Sequence, residues 1–199
     1  MPKEIFDRIW ANCAGKGCMG ANCSYILHEF LHHVKALEGD VAELGVYSGA
    51  TARLIAQTAP GKTVHLFDTW EGLVAPERHL DGVTHYQGEF SAPLEQVRAF
   101  LSDCPNARFY KGVFPSTSGP VEHTAFCFVH LDVDLYAGTK AGLEFFYPRM
   151  VSGGILIGDD YNNVREPGCK RAIDEFFSSK PEMPIQVDEV GNQAFIWKL

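Results

Sequence analysis

Residues 153–163 read GGILIGDDYNN, an apolar run closed by two adjacent aspartates. Ile155-Leu156-Ile157 has the character of a buried strand. Like charges side by side at its end are unfavourable unless a cation sits beside them or the pair lies apart in solvent. A second apolar run, TAFCFVHLD at 124–132, also ends in acid, with Asp132 followed by Asp134. Two such runs read as neighbouring strands of a parallel sheet covered on both faces, with their carboxyl ends on one edge.

The rest of the chain alternates in the same way. Helices are expected at 3–11 and 24–37, separated by a Gly-rich break at 15–20. DVAELGV (40–46) is the first strand, followed by a helix from about Ser48 to Gln57, and TVHLFD (63–68) is the second. Residues 70–89 are too polar and Gly-rich for a core element and read as a loop over the site. SAPLEQVRAFLS (91–102) is a helix with Ser91 as its N-cap. ARFYKG (107–112) is the third strand, and residues 138–150 and 169–179 form the last two helices. PIQVDEVGNQAFIWKL (184–199) carries a Gly-Asn turn between two strands, a hairpin signal. Five β/α units and a terminal hairpin imply an α/β fold: a mostly parallel seven-stranded sheet, helices on both faces, and a final antiparallel strand beside the last parallel one. The 199 residues form one domain, with 1–39 as a short N-terminal helical or lid segment.

Composition narrows the function. Hydrophobic residues make up 46% and charged residues 21%, as in soluble globular proteins. The net charge of -8 leaves no basic stripe for nucleic acid. No apolar run approaches a membrane span, and the N-terminus lacks the apolar centre of a signal peptide, so a cytoplasmic protein with reduced cysteines is expected. Cys13, Cys18 and Cys23 miss the spacing of a zinc knuckle and read as structural.

Two constellations carry chemistry. ELGVYSG reads E-x-G-x-x-x-G, with Glu43, Gly45 and Gly49 where a strand meets a helix. Asp68 ends the next strand, where an acid bonds ribose hydroxyls in doubly wound folds. The pattern is not that of a pyrophosphate site. Glu43 would repel phosphate and accept from an ammonium, which favours a nucleoside such as S-adenosylmethionine. The second constellation is Asp132, Asp159 and Asp160, converging at adjacent strand ends as oxygen donors for a hard cation such as Mg²⁺. Asp134 is the alternative to Asp132 as ligand. A third pattern, H-E-x-x-H at 28–32, matches a zinc hydrolase helix, with His28 and His32 on one face. That helix leads straight into the nucleoside strand, so packing on the sheet is the better reading.

VAELGVYSGATARLIA, HLFDTWEGL, FYKGVFPST, HLDVDLYAGTKAGLEFFYPRMVSGGILIGDDY and CKRAIDEFF, covering residues 40–178 in order, resemble the macrocin O-methyltransferase family, enzymes that methylate sugar hydroxyls of antibiotics. The resemblance implies a class I methyltransferase Rossmann-like fold, S-adenosylmethionine as donor and Mg²⁺ as metal. It assigns the metal to Asp132, Asp159 and Asp160, and the donor to Glu43, Gly45, Tyr47, Gly49, Asp68, Thr69 and Trp70. Asp132 is the first choice of general base and His130 the second. The implied activity is O-methylation of a vicinal diol on a small hydroxylated molecule, a natural-product sugar, with a catechol as the competing acceptor. A non-catalytic donor-binding module would have no use for three converging carboxylates. The family's longer N-terminal region helps form its lid and oligomer. Here residues 1–39 take that place, and a homo-oligomer is compatible with it.

Overall fold

The computed structural model describes residues 2–13, 15–17, 19–187 and 191–199; Cys18 and residues 188–190 of the expected hairpin lie outside them. Seven strands form one sheet: β1 (Asp40–Leu44), β2 (Val64–Asp68), β3 (Ala107–Lys111), β4 (Phe126–Leu131), β5 (Met150–Gly158), β6 (Ile185–Gln186) and β7 (Ala194–Trp197). Their order is β3-β2-β1-β4-β5-β7-β6. β1 to β5 are parallel, while β7 runs antiparallel to β5 and β6 antiparallel to β7. The antiparallel strand sits beside the last parallel one, as the hairpin implies.

Alternation along the central strands builds two cores. Phe128, Ile155 and Ile157 face one side, where helices α1 (Pro2–Cys13), α2 (Ala21–Val34) and α3 (Ala50–Thr58) pack. Val129, Leu131 and Leu156 face the other, against α6 (Tyr136–Phe146) and α7 (Pro167–Phe177). β4 is buried at every residue, which is why its sequence is apolar without alternation. Each such Leu, Ile or Phe contributes about 1.5–3 kcal/mol by leaving water.

Strand order reverses between β1 and β4, which opens a crevice at their carboxyl ends. Gly45 lies there with φ at 90°, and a Cβ on it would sit 1.7 Å from the carbonyl oxygen of Asp132. Only glycine fits, and its role is to let the end of β1 abut the backbone of Asp132.

Some elements differ from expectation. Helix α5 (Leu94–Phe100) begins after Pro93, and Ser91 does not cap it. The proline keeps Ala92 out of the helical region, so the helix cannot extend back to a Ser91 cap. β5 starts at Met150, before the expected Gly153. Helix α6 begins at Tyr136, ahead of the expected 138, because its cap comes from elsewhere. A short helix, α4 (Arg78–Asp81), interrupts the 70–89 loop, and Asp81 Oδ1 accepts from the amide of Tyr136 at 2.7 Å. Its Oδ2 accepts from the amide of Glu77 at 2.8 Å. Gly168 makes room for it, since a Cβ there would lie 2.3 Å from Asp81 Oδ1. Asp81 thus docks the loop into the notch between α6 and α7.

No helix among the described residues is long and apolar enough to cross a membrane. No disulfide joins the described cysteines, and burial pushes the thiols of Cys13 and Cys104 up to about 11, where they are inert.

Asp81 is buried and serves two helix starts, so Asp81→Ala should destabilise the protein by about 1–2 kcal/mol. Urea denaturation checks this, with Glu38→Ala as an exposed-acid control expected to change little.

Candidate functional site

The crevice between the ends of β1, β2 and β4 is a pocket with mostly apolar walls. Gly45, Tyr47, Asp68 and Thr69, expected from the sequence, all line it. Asp132 lines it too. Glu43, Gly49 and Trp70 are not among its lining residues. Gly49 instead starts α3 in a left-handed conformation (φ 88°), packed where a Cβ would meet Leu101 at 2.8 Å. Trp70 is buried against Phe109.

Asp68 organises the pocket floor. Its Oδ2 accepts from the amides of Val46 (2.7 Å) and Tyr47 (2.8 Å), and its Oδ1 from the amide of Trp70 (2.6 Å). A carboxylate offers about four acceptor positions, so three are committed to backbone and one remains for a ligand hydroxyl. The loop-organising role is present whatever binds. Sequence reasoning missed Phe67, Val113 and Phe114, which give the pocket an apolar slot, and Gly17, which brings the N-terminal segment to its rim. These positions carry no motif; topology alone places them.

The acidic centre lies at the ends of β4 and β5. Donor atoms of Asp132, Asp134 and Asp160 fall within 4.8 Å of one another, as do those of His130, Asp132 and Asp159. Asp132 belongs to both groups, while Asp159 falls with His130 and Asp160 with Asp134, so the three aspartates expected as ligands do not form a group of their own. Burial, followed by repulsion from the neighbouring acids, pushes Asp132 well above the carboxylate range. Burial likewise raises Asp134 to about 7 and Asp160 to about 8. An all-oxygen donor set of acids that repel each other fits a hard divalent cation. Its surroundings fit as well: Asp160 accepts from Asn163 at 3.1 Å and Asp159 from Gln193 at 3.3 Å.

Backbone conformation marks the same edge. Tyr47, Trp70, Asp134 and Asp160 have φ of 48°, 53°, 60° and 57°, and each follows the end of β1, β2, β4 or β5 by two or three residues. Such backbones cost about 1–3 kcal/mol each and collect at functional sites.

Glu43 and His130 meet away from the pocket. They pair in register across β1 and β4, and neither is exposed to solvent. His130 Nδ1 lies 3.2 Å from Glu43 and Nε2 3.4 Å from Asp159. Burial alone would lower the His130 pKa, but hydrogen bonds to Asp159 and Glu43 outweigh it and raise it to about 10. Burial raises the Glu43 carboxyl, an effect that His130 partly offsets. An enclosed imidazolium with both nitrogens engaged is poorly placed to take a proton from an acceptor in the pocket.

The 70–90 loop closes over the centre as an ordered lid. Beyond the Asp81 dock, His85 bridges Glu89 (2.9 Å) and Glu166 (2.6 Å), tying the lid to the residue that precedes α7. The amides of Leu73 and Gly88 bond Glu89 and Leu73. Phe90 and Leu73 complete one wall of the pocket. The H-E-x-x-H helix takes no part: His28 is buried and bonds Thr58 at 2.8 Å, and His32 pairs with Lys35. Among the described residues neither histidine joins a group of metal donors.

Comparisons with known proteins agree with this architecture. The sequence profile of the macrocin-O-methyltransferase (TylF) family matches residues 15–199. The chain is 28% identical over 179 residues to an 8-demethyl-8-(2,3-dimethoxy-alpha-L-rhamnosyl)-tetracenomycin-C 4'-O-methyltransferase of Streptomyces olivaceus, covering 80% of this chain and 66% of that one. It is also 28% identical over 180 residues to a demethyldecarbamoylnovobiocin O-methyltransferase of Streptomyces niveus, with the same coverage. The chain thus spans just under two thirds of the length of these two relatives. The crystal structure of CalS11, a calicheamicin methyltransferase, superposes with a TM-score of 0.77 at 19% identity, covering 98% of this chain and 91% of that one, and shares its fold.

The His85 bridge has a pH signature. Burial lowers its pKa, but Glu89 and Glu166 outweigh this and hold it above 6.5. A raised folded-state value contributes stability that is complete below about 6.5 and lost as pH rises through that value. Hydrogen exchange at the Leu73 and Gly88 amides should be slower in the wild type than in His85→Gln by about tenfold at pH 6, with the gap narrowing at alkaline pH.

Proposed function

The chain belongs to the macrocin-O-methyltransferase family, and from that footing we propose that it transfers a methyl group from S-adenosylmethionine to one hydroxyl of a vicinal diol, on a sugar of a natural product. The observation that carries the reading is the junction at Gly45, where a nucleoside-sized pocket on β1 and β2 abuts the aspartates of β4 and β5. Donor and acceptor sites are contiguous, as direct transfer requires.

The fourth acceptor position of Asp68 is free for a ribose hydroxyl, with Gly45, Tyr47 and Thr69 beside it. The slot at Phe67, Val113 and Phe114 suits a flat base. Gly49 and Trp70 support the loops around the donor from behind. Asp132, Asp159 and Asp160 would hold Mg²⁺, which when bound lowers the pKa of a coordinated hydroxyl and orients it. Asp134 lines the pocket beside Asp132 and takes the hydroxyl proton, leaving Asp132 to serve as ligand. The oxygen then forms its bond to the methyl carbon as the carbon–sulfur bond breaks, and S-adenosylhomocysteine leaves. The ordered lid excludes water from this step.

The two relatives are named for O-methylation of a rhamnosyl-tetracenomycin and of demethyldecarbamoylnovobiocin. A glycoside diol is therefore the first acceptor to test, with a catechol as the competitor that would chelate a metal equally well.

Rhamnosides should be methylated in the presence of Mg²⁺ and not in EDTA, with catechols turned over more slowly. Asp159→Asn should lose about 100-fold or more in turnover while S-adenosylhomocysteine binding changes by less than about threefold. Wild-type turnover in that variant would remove the metal role. Asp68→Asn turns an NH2 donor against at least one of the three backbone N–H groups and should weaken S-adenosylhomocysteine binding by about tenfold or more, read by calorimetry.

A further inference from the structure

Glu43 and His130 have no place in the transfer step, yet they are charged groups buried without exposed surface behind Asp159. His130 and Glu43 show no exposed surface, and their strands sit side by side at the centre of the sheet. Glu43, His130, Ile157 and Asp159 fall on the same side by strand alternation, the side covered by α2 and α3. Keeping an ionisable pair there is costly unless each group satisfies another.

Two donors meet on one oxygen of Asp159. His130 Nε2 lies 3.4 Å from Oδ2, and Gln193 Nε2 lies 3.3 Å from the same atom. Among the described residues Oδ1 has only the local contact from the amide of Asp160, at 3.2 Å. The carboxylate is therefore fixed from behind through one oxygen. The ring of His130 is in turn fixed by Glu43, the penultimate residue of β1.

We propose, resting on the metal reading above, that His130 is a positioning residue for the metal centre: held through Nδ1 by Glu43, it sets the orientation of the Asp159 carboxylate through Nε2. Glu43 then serves the cation from a distance, through the ring. Its value at this position is the placement of an acid behind His130, which explains why it lies in the donor motif without lining the donor pocket. Partners that orient metal ligands in this way are worth about 10–100-fold in metal affinity.

The two ring nitrogens can be separated by isosteric amides. Asn at 130 retains a polar group near Nδ1, and Gln retains one near Nε2. Mn²⁺ binding is measured by electron paramagnetic resonance in the presence of S-adenosylhomocysteine, and S-adenosylhomocysteine binding by calorimetry in EDTA. His130→Asn should weaken Mn²⁺ by about 10-fold or more, while His130→Gln stays within about threefold of wild type and both bind S-adenosylhomocysteine normally. Equal Mn²⁺ affinity in His130→Asn and wild type would overturn the role. So would a parallel loss of Mn²⁺ and S-adenosylhomocysteine binding in both variants, which marks a merely structural histidine. Should neither variant fold, Glu43→Gln reads the same chain from its other end. Weaker Mn²⁺ with unchanged S-adenosylhomocysteine supports the proposal, and the reverse overturns it by placing Glu43 on the donor. A wild-type protein that binds no Mn²⁺ would remove the metal centre itself, a failure distinct from that of His130.

Discussion

Four aspartates crowded at the ends of two adjacent strands set the terms for the rest of the molecule. Asp132, Asp134, Asp159 and Asp160 repel one another in a partly buried place, and burial and repulsion together drive Asp132, Asp134 and Asp160 toward protonation. A fold tolerates this only if the surroundings supply opposite charge and fixed donors. His130, Gln193 and Asn163 supply part of it from the sheet and from the turn after β5. A bound cation would supply the remainder, and the sheet would no longer have to confine uncompensated charge.

The parallel sheet makes the crowding possible. Each parallel strand delivers its last residues to one edge, and the reversal of order between β1 and β4 leaves that edge open. Gly45 then removes the last obstacle between the two halves of the site, because any side chain there would strike Asp132. The pocket and the acidic centre are contiguous, with Asp132 and Asp134 belonging to both.

Much of this was legible in the chain. The apolar runs of β1, β4 and β5 announce strands covered on both faces, and acids at their ends announce an edge with chemistry. What the sequence concealed depends on contacts between distant residues. The start of α6 was misplaced because its cap, Asp81, comes from 55 residues away. Ser91 looks like a cap, but Pro93 forbids the backbone it would need. Glu43 was read as a donor contact from its motif. Its fixed neighbour, His130, becomes visible only once β1 and β4 are known to pair in that register. The lid has no hydrophobic period, and its order comes from Asp81 and His85 rather than from any local propensity.

Asp81 gives the lid an uneven freedom to vary. A loop that caps the first turn of α6 is held to the scaffold at that point, and Gly168 is bound to it by lack of space. Change at either position would disturb the fold before it altered the choice of acceptor. Val83 and Tyr86 stand 80% and 65% exposed a few residues further on, between the Asp81 dock and Glu89. Diversification within the family, or in the laboratory, has its widest latitude there: a short stretch of lid that can be rewritten while the helix it steadies remains in place.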